Sequence, residues 1–169
     1  MKILGVDPGT GTVGYGVVTA DPPYPRARLI ECGVIRTSPK AQLAVRLRAI
    51  HEGLSQLVGR HRPDVMAVED IFYGANVRTT AVLGHARGVI LLAGALAGVP
   101  VFEYSPARIK KAIVGRGAAL KPQVAYMVAK LLGLRQSPSP ADAADGVAVA
   151  LTHALLDRNL RPRARLVVA

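Results

Sequence analysis

The sequence predicts an α/β fold: a mixed five-stranded sheet with helices on both faces. Three observations lead there. Three apolar runs near the N-terminus are separated only by short turns, two later apolar runs flank a long helical segment, and the remainder has helical character throughout.

Residues 2–7 and 13–19 are apolar runs parted by Pro8-Gly-Thr-Gly-Thr12, and a third run, 27–37, follows Asp21-Pro-Pro-Tyr-Pro25. Connections this short make an antiparallel meander. From 42 to 58, Leu43, Leu47, Ile50, Leu54 and Leu57 recur at three- and four-residue spacing, the pattern of an amphipathic helix, which Pro63-Asp64 closes. A strand at 65–69 leads through the loop 71–76 into a helix over about 78–97 and a strand at 101–104. A crossover of that length joins parallel strands, normally right-handed. The rest reads as a short helix at 106–114, a glycine loop at Gly115-Arg-Gly117, a helix at 122–132 and a last one at 140–157. Residues 1–157 are expected to form a single domain; 158–169, with Arg161, Arg163 and Arg165, form a basic tail.

The chain has 169 residues, half of them hydrophobic, enough for one domain with a real core. Lys and Arg outnumber Asp and Glu by 22 to 11, and the resulting charge of +11 points to a polyanionic partner. The longest nearly apolar stretch, 88–102, is broken by glycines and a proline and falls short of the ~20 residues of a spanning helix. It reads as a buried helix followed by a strand. No membrane association is expected, and with no leader-like N-terminus the expected location is the cytoplasm. Cys32, the single cysteine, reads as a buried inert thiol, and His51, His61, His85 and His153 form no zinc pattern.

Against this basic background four acids are informative. Asp7 closes the first strand, although a carboxylate before Pro-Gly also suits the first position of a tight turn. Glu69 ends the run Val65-Met-Ala-Val, where burying a charge costs several kcal/mol unless a cation compensates it. Ser139-Pro140-Ala-Asp142 matches a helix start, with serine as cap and Asp142 closing a capping box. Asp145 has no such explanation; it sits one turn on, among Ala143, Ala144 and Gly146, small residues that admit another backbone. An all-carboxylate set suits Mg2+, and two such ions about 4 Å apart are a general solution for phosphodiester hydrolysis; Mn2+ is the expected substitute.

Lys121, before Pro122 at a helix start, places a cation at the positive end of the dipole. It is either an anion site for a phosphate or an exposed side chain in solvent. Lys110, Lys111 and Arg116 extend the basic stretch. Phe72 and Tyr73 follow Glu69 and either stack on bases or cap the core.

These pieces together resemble the RuvC-type Holliday junction resolvases, and the resemblance runs over nearly the whole chain. It is carried by Gly5-Val-Asp-Pro-Gly9 with Gly14-Tyr-Gly16, Val68-Glu69 followed by Phe72, and Gly84-His-Ala-Arg-Gly88. Pro100-Val-Phe-Glu-Tyr104, Val114-Gly-Arg-Gly117 with Lys121, Ala141-Asp-Ala-Ala-Asp145 and Ala150-Leu-Thr-His153 complete it. The resemblance implies an RNase H-like fold and a homodimer. It also implies Mg2+-dependent paired nicking of four-way junction DNA in recombination and repair, beside a RuvA–RuvB branch-migration complex. By the same motifs, Asp7, Glu69, Asp142 and Asp145 would bind the metal and carry catalysis with Lys121. Lys110 and Lys121 would lie at the DNA, and Phe72 near the junction point. The long helix would supply the dimer contact, with Gly84, Gly88 and Gly94 permitting close packing. Asp70 and Gly74 depart from the pattern.

Three other readings compete. An actin-like ATPase would share Asp7-Pro-Gly-Thr10 but needs two lobes, a non-catalytic DNA-binding module would lack the acids, and an RNase H-like nuclease acting on RNA/DNA hybrid would share them.

Overall fold

In the computed structural model, residues 1–21, 26–71 and 77–156 are described. The proline-rich turn 22–25, the loop 72–76 and the arginine tail lie outside them. The strands are β1 (Lys2–Asp7), β2 (Thr12–Asp21), β3 (Arg26–Arg36), β4 (Val65–Glu69) and β5 (Val101–Tyr104). The helices are α1 (Leu43–His61), α2 (Val77–Leu96), α3 (Pro106–Val114), α4 (Lys121–Leu131) and α5 (Ala141–Leu156).

The sheet order is β3-β2-β1-β4-β5, with β1, β2 and β3 antiparallel and β1, β4 and β5 parallel. The expected mixed sheet is therefore present, and each central strand is a continuous apolar run because it is covered on both faces. One core layer lies under α1 and α2 and includes Leu4, Val6, Ile50, Leu54, Met66 and Ile90. The other lies under α3, α4 and α5 and includes Ile3, Ala67, Ile109, Val128, Val147 and Leu151.

Helix α5 packs against β1 and β2 with almost no side-chain spacer. A Cβ on Gly16 would stand 2.6 Å from the Val147 Cα, one on Gly14 1.8 Å from the Asp142 carbonyl oxygen, and one on Gly5 2.3 Å from the Gly146 carbonyl oxygen. In return, a Cβ on Gly146 would meet the Tyr15 Cα at 2.5 Å. The glycines are a groove for backbone-to-backbone contact.

Several boundaries differ from the sequence reading. Helix α1 runs on to His61 and ends at Arg62 in the left-handed conformation (φ 46°), whose N–H reaches the Val58 carbonyl at 2.8 Å. Its last turn is held from outside. Glu31 on β3 accepts from the Tyr15 hydroxyl (2.8 Å) and the Arg60 guanidinium (2.5 Å) and lies 2.7 Å from His61 Nε2. Helix α5 begins at Ala141, with the Pro140 carbonyl accepting from the amides of Ala143 and Ala144. The cap position is thus Pro140 rather than Ser139, which leaves Asp142 in the first turn without the capping role predicted for it.

The largest correction concerns α2. Its second half, from Gly88, reads in sequence as buried; the helix is 20 residues long and holds an 18-residue window of mean hydropathy 1.4, long and apolar enough by length and composition to cross a membrane, yet only 22% of that window is buried. Ala86, Ile90, Ala93 and Gly94 face the core, whereas Val77, Leu92 and Leu96 are 80%, 50% and 69% exposed. Hydropathy records how apolar a segment is, not which of its faces its own chain covers. Gly94 likewise faces inward, where a Cβ would meet Met66 and Val101 at 2.6 Å; Gly88 is open to solvent.

Gly16→Ala is expected to destabilise the protein by about 1–3 kcal/mol, since besides the Val147 Cγ2 methyl it meets the Val147 backbone, which cannot give way. Urea denaturation checks this, and an unchanged midpoint would mean that α5 can lift from the sheet at no cost.

Candidate active site at the ends of the central strands

Parallel register pairs Val6 with Val68, so the next residues, Asp7 and Glu69, stand side by side at the carboxyl edge of the sheet. Alternation sends Val6 and Val68 under α1 and α2 and turns Asp7 and Glu69 to the α5 face. Asp142 comes from the first turn of α5 and Asp145 from the next, both seated there by the glycine groove. Carboxylate oxygens of Asp7, Asp142 and Asp145 all lie within 4.8 Å of one another. Glu69 joins from the flank: it hydrogen-bonds to Asp7 and lines, with Asp145, Lys110 and Lys121, a cleft of about 110 Å³. Asp7 and Asp145 are common to both groupings.

The basic residues divide. The Lys121 ammonium donates to Asp145 Oδ2 at 2.8 Å, and Lys110 on α3 lines the cleft. Lys111 is exposed and does not line the cleft, since successive helix residues point roughly 100° apart. Arg116 is exposed between α3 and α4 and donates to Gln123 Oε1 at 3.2 Å. That same Gln123 oxygen accepts the Leu120 N–H at 2.9 Å, so α4 starts at Lys121 with a partial cap and carries the lysine on its first residue. Phe72 and Tyr73 lie outside the described residues.

Burial, then the charges of Glu69 and Asp145, push the Asp7 carboxyl from 3.8 up to about 8. Burial and Asp145 raise Glu69 too, against its hydrogen bond from Asp7. The hydrogen bond to Asp145 raises Lys121. Without a cation this set keeps a proton near neutral pH that a solvated carboxyl would have lost. The donors are all carboxylate oxygens in a partly dehydrated cleft, which fits a hard divalent cation whose charge takes the place of that proton.

Two features here carried no local sequence signal. The Thr10 carbonyl, three residues past Asp7, accepts from the Thr37 hydroxyl at 2.6 Å and from Arg46 Nε at 3.2 Å. These donors brace the loop after Asp7, Thr37 from just past the end of β3 and Arg46 from α1. Behind Glu69, Asp70 pairs with Arg87 on α2. Elsewhere, His153 is fully buried with Nδ1 2.8 Å from the Tyr104 hydroxyl, a packing role, and Cys32 is only partly buried.

A family model described as crossover junction endodeoxyribonuclease RuvC matches residues 3–153. The crossover junction endodeoxyribonuclease RuvC of Pelotomaculum thermopropionicum is 49% identical over 154 residues, 91% of this chain and 93% of that one. A Thermus thermophilus RuvC structure superposes with a TM-score of 0.84 at 39% identity, covering 92% of this chain and 94% of that one. The T. thermophilus RuvC complex with Holliday junction substrate superposes at 0.83 and 37% identity, over the same shares of the two chains.

The raised Asp7 pKa fixes a sign. The folded state holds this proton more tightly than the unfolded chain, so the stabilisation is full below the unfolded value and is lost as pH rises through the folded one. Metal-free protein is therefore expected to lose thermal stability between about pH 4 and about pH 8 through Asp7. Asp7→Asn should flatten that part of the profile, and added Mg2+ should raise the wild-type Tm more at the alkaline end. Melting curves across pH check this; identical profiles for wild type and Asp7→Asn would contradict it.

Proposed function

The chain belongs to the RuvC family, and on that premise we propose that Asp7, Glu69, Asp142 and Asp145 are the catalytic, metal-binding carboxylates of this Holliday junction endonuclease. As a crossover junction endodeoxyribonuclease it hydrolyses DNA phosphodiester bonds, in recombination and repair. The observation that carries the site assignment is the convergence of Asp7, Asp142 and Asp145, from segments far apart in sequence, to within 4.8 Å at the sheet edge, with Glu69 hydrogen-bonded to Asp7 beside them.

Magnesium is the ion we assign, two per site, with Mn2+ substituting, because the donors are all oxygens. When bound, such a pair supplies an activated water and counter-charge for the leaving oxygen of a phosphodiester. Asp7, between Glu69 and the two α5 acids, gives up its proton and orients the set. Lys121, with a side chain 76% exposed, carries its ammonium from Asp145 to the cleft mouth, where it meets a phosphate oxygen of the strand to be cut. Lys110 flanks the same path. Lys111 and Arg116, further out, add phosphate contacts, and Phe72 with Tyr73 meets unstacked bases at the crossover.

A four-way junction has approximate two-fold symmetry, which an isologous dimer matches with two identical sites. The exposed apolar stripe of α2, with Val77, Leu92 and Leu96 on it, is the surface we assign to that dimer. Burying it removes the unpartnered apolar face from water. Residues 1–157 are the nuclease domain and 158–169 a basic tail. The protein works in the cytoplasm beside a RuvA–RuvB branch-migration complex.

With a labelled mobile four-way junction, linear duplex and RNA/DNA hybrid in parallel, Mg2+ is expected to give paired symmetric nicks in the junction alone, and chelator none. Asp7→Asn, Glu69→Gln, Asp142→Asn and Asp145→Asn should each lower cleavage by about 100-fold or more while junction binding is kept, as expected where several kcal/mol of metal-borne stabilisation is lost. Lys121→Ala should slow cleavage more than it loosens binding. Wild-type cutting by the carboxylate variants would end the assignment, and cleavage of hybrid instead would reassign the substrate.

Leu92→Glu should convert a dimer to monomers that keep the wild-type circular dichroism spectrum and no longer make paired nicks. Sedimentation velocity reads this; a dimer unaffected by a charge at Leu92 would move the interface elsewhere.

A further inference from the structure

Glu69 has a neighbour on the far side of the sheet. Successive strand residues point to opposite faces, so Asp70 turns away from the cleft toward α2. There the Arg87 guanidinium meets two carboxylates, with Nε 3.4 Å from Asp70 Oδ1 and Nη2 in contact with Glu103 Oε2. Glu103 stands opposite Val68 in the β4–β5 register, Tyr104 stands opposite Glu69, and the Asp70 N–H bonds the Tyr104 carbonyl at 2.8 Å. One guanidinium, hydrogen-bonded to Glu103 and ion-paired with Asp70, thus sits between the ends of both strands directly behind Glu69. Arg87 is 25% exposed, next to buried Ala86 on the inner flank of α2, and the apolar stripe of Val77, Leu92 and Leu96 runs along the outer side of the same helix.

We propose that Arg87 is a positioning residue that links the outer face of α2 to Glu69 through Asp70 and Glu103, so that seating a second copy of this chain sets the Glu69 carboxylate for cleavage. The proposal rests on the dimer reading above. A helix is stiff along its length, so displacing its outer face moves Arg87, and Arg87 moves the strand end. Misplacing a catalytic group by about 1 Å can cost on the order of 10²-fold in rate, so a small motion suffices.

The test compares full-length wild type, Arg87→Gln, Arg87→Lys, Asp70→Asn and the Arg87→Gln/Asp70→Asn double variant on the mobile junction. Read out are sedimentation mass, junction Kd without metal, cleavage kcat and the Mg2+ concentration for half-maximal rate. For Arg87→Gln the mass is expected to be unchanged, Kd to stay within about twofold, kcat to fall roughly 10- to 100-fold and the Mg2+ requirement to rise. Singly nicked junction should accumulate, Arg87→Lys should recover part of the rate, and the double variant should be no slower than Arg87→Gln alone, as for two ends of one link.

Should Arg87→Gln fail to fold, Asp70→Asn carries the test, since that side chain is 48% exposed. Wild-type kcat and Mg2+ requirement in either variant would overturn the proposal. So would a Kd that rises in step with the fall in rate, which would make Arg87 a DNA contact, or strictly additive losses in the double variant. A wild-type protein that sediments as a monomer at cutting concentrations overturns the dimer reading, and with it the outer-face half of the link, whatever Arg87 does to the rate.

Discussion

The contact between α5 and the backbone of β1 and β2 is the constraint on which the rest of this molecule depends. Two of the four acids ride on that helix and a third ends β1, so their separation is set by how far α5 stands from the strands. Gly5, Gly14, Gly16 and Gly146 reduce that distance to backbone contact. Larger side chains in the groove would push Asp142 and Asp145 outward, away from Asp7. The nearly unbroken burial of α5 from Ala143 to Ala154 stiffens the arrangement, because a helix packed on every side cannot rotate to relax a crowded charge cluster.

That rigidity makes the electrostatics useful. Free to move apart, the carboxylates would spread and ionise at ordinary pH; held together and partly buried, they keep a proton on Asp7 up to about pH 8. The site is thus anionic enough to attract a divalent cation and short of one until it arrives. Around it the protein is strongly basic, with charge +11. The two signs serve different ranges. The diffuse positive field draws in a polyanion over many ångströms, while the local negative cluster acts only at contact distance.

The back of the sheet is organised around the same strand ends. Thr37 and Arg46 brace the loop after Asp7, and Arg87 grips Asp70 behind Glu69. The segments that follow Asp7 and Glu69 are thus held by residues distant in sequence. Helix α2 has two duties: its inner side packs the core and holds Asp70, and its outer side remains apolar and exposed. A segment with both faces apolar is costly to leave in water.

Much of this was legible in sequence because it is encoded locally. Unbroken apolar runs set β1 and β4, the spacing of Leu43, Leu47, Ile50 and Leu54 set α1, and Glu69 ending an apolar strand marked a buried charge in need of a partner. Gly14 and Gly16 at alternate positions of one strand were a readable sign of close backbone approach that became meaningful only once α5 was found above them. Other features had no such sign. The Ser139 cap was plausible from residue types and gave way to Pro140, and residue type alone did not separate Lys110 from Lys111: the family resemblance singled out Lys110, and the rotation of α3 is what places it on the cleft and leaves Lys111 in solvent.

By itself, then, the sequence determined the secondary elements, the order of the sheet's hairpin and parallel halves, the basic charge and the chemical kind of the site, since these follow from propensity, periodicity and residue type. Tertiary structure alone decided which acids meet within 4.8 Å, which lysines join them, and which face of α2 is left uncovered. Those outcomes depend on distances between segments far apart along the chain, which helix rotation and packing distance fix and no local pattern of residues records.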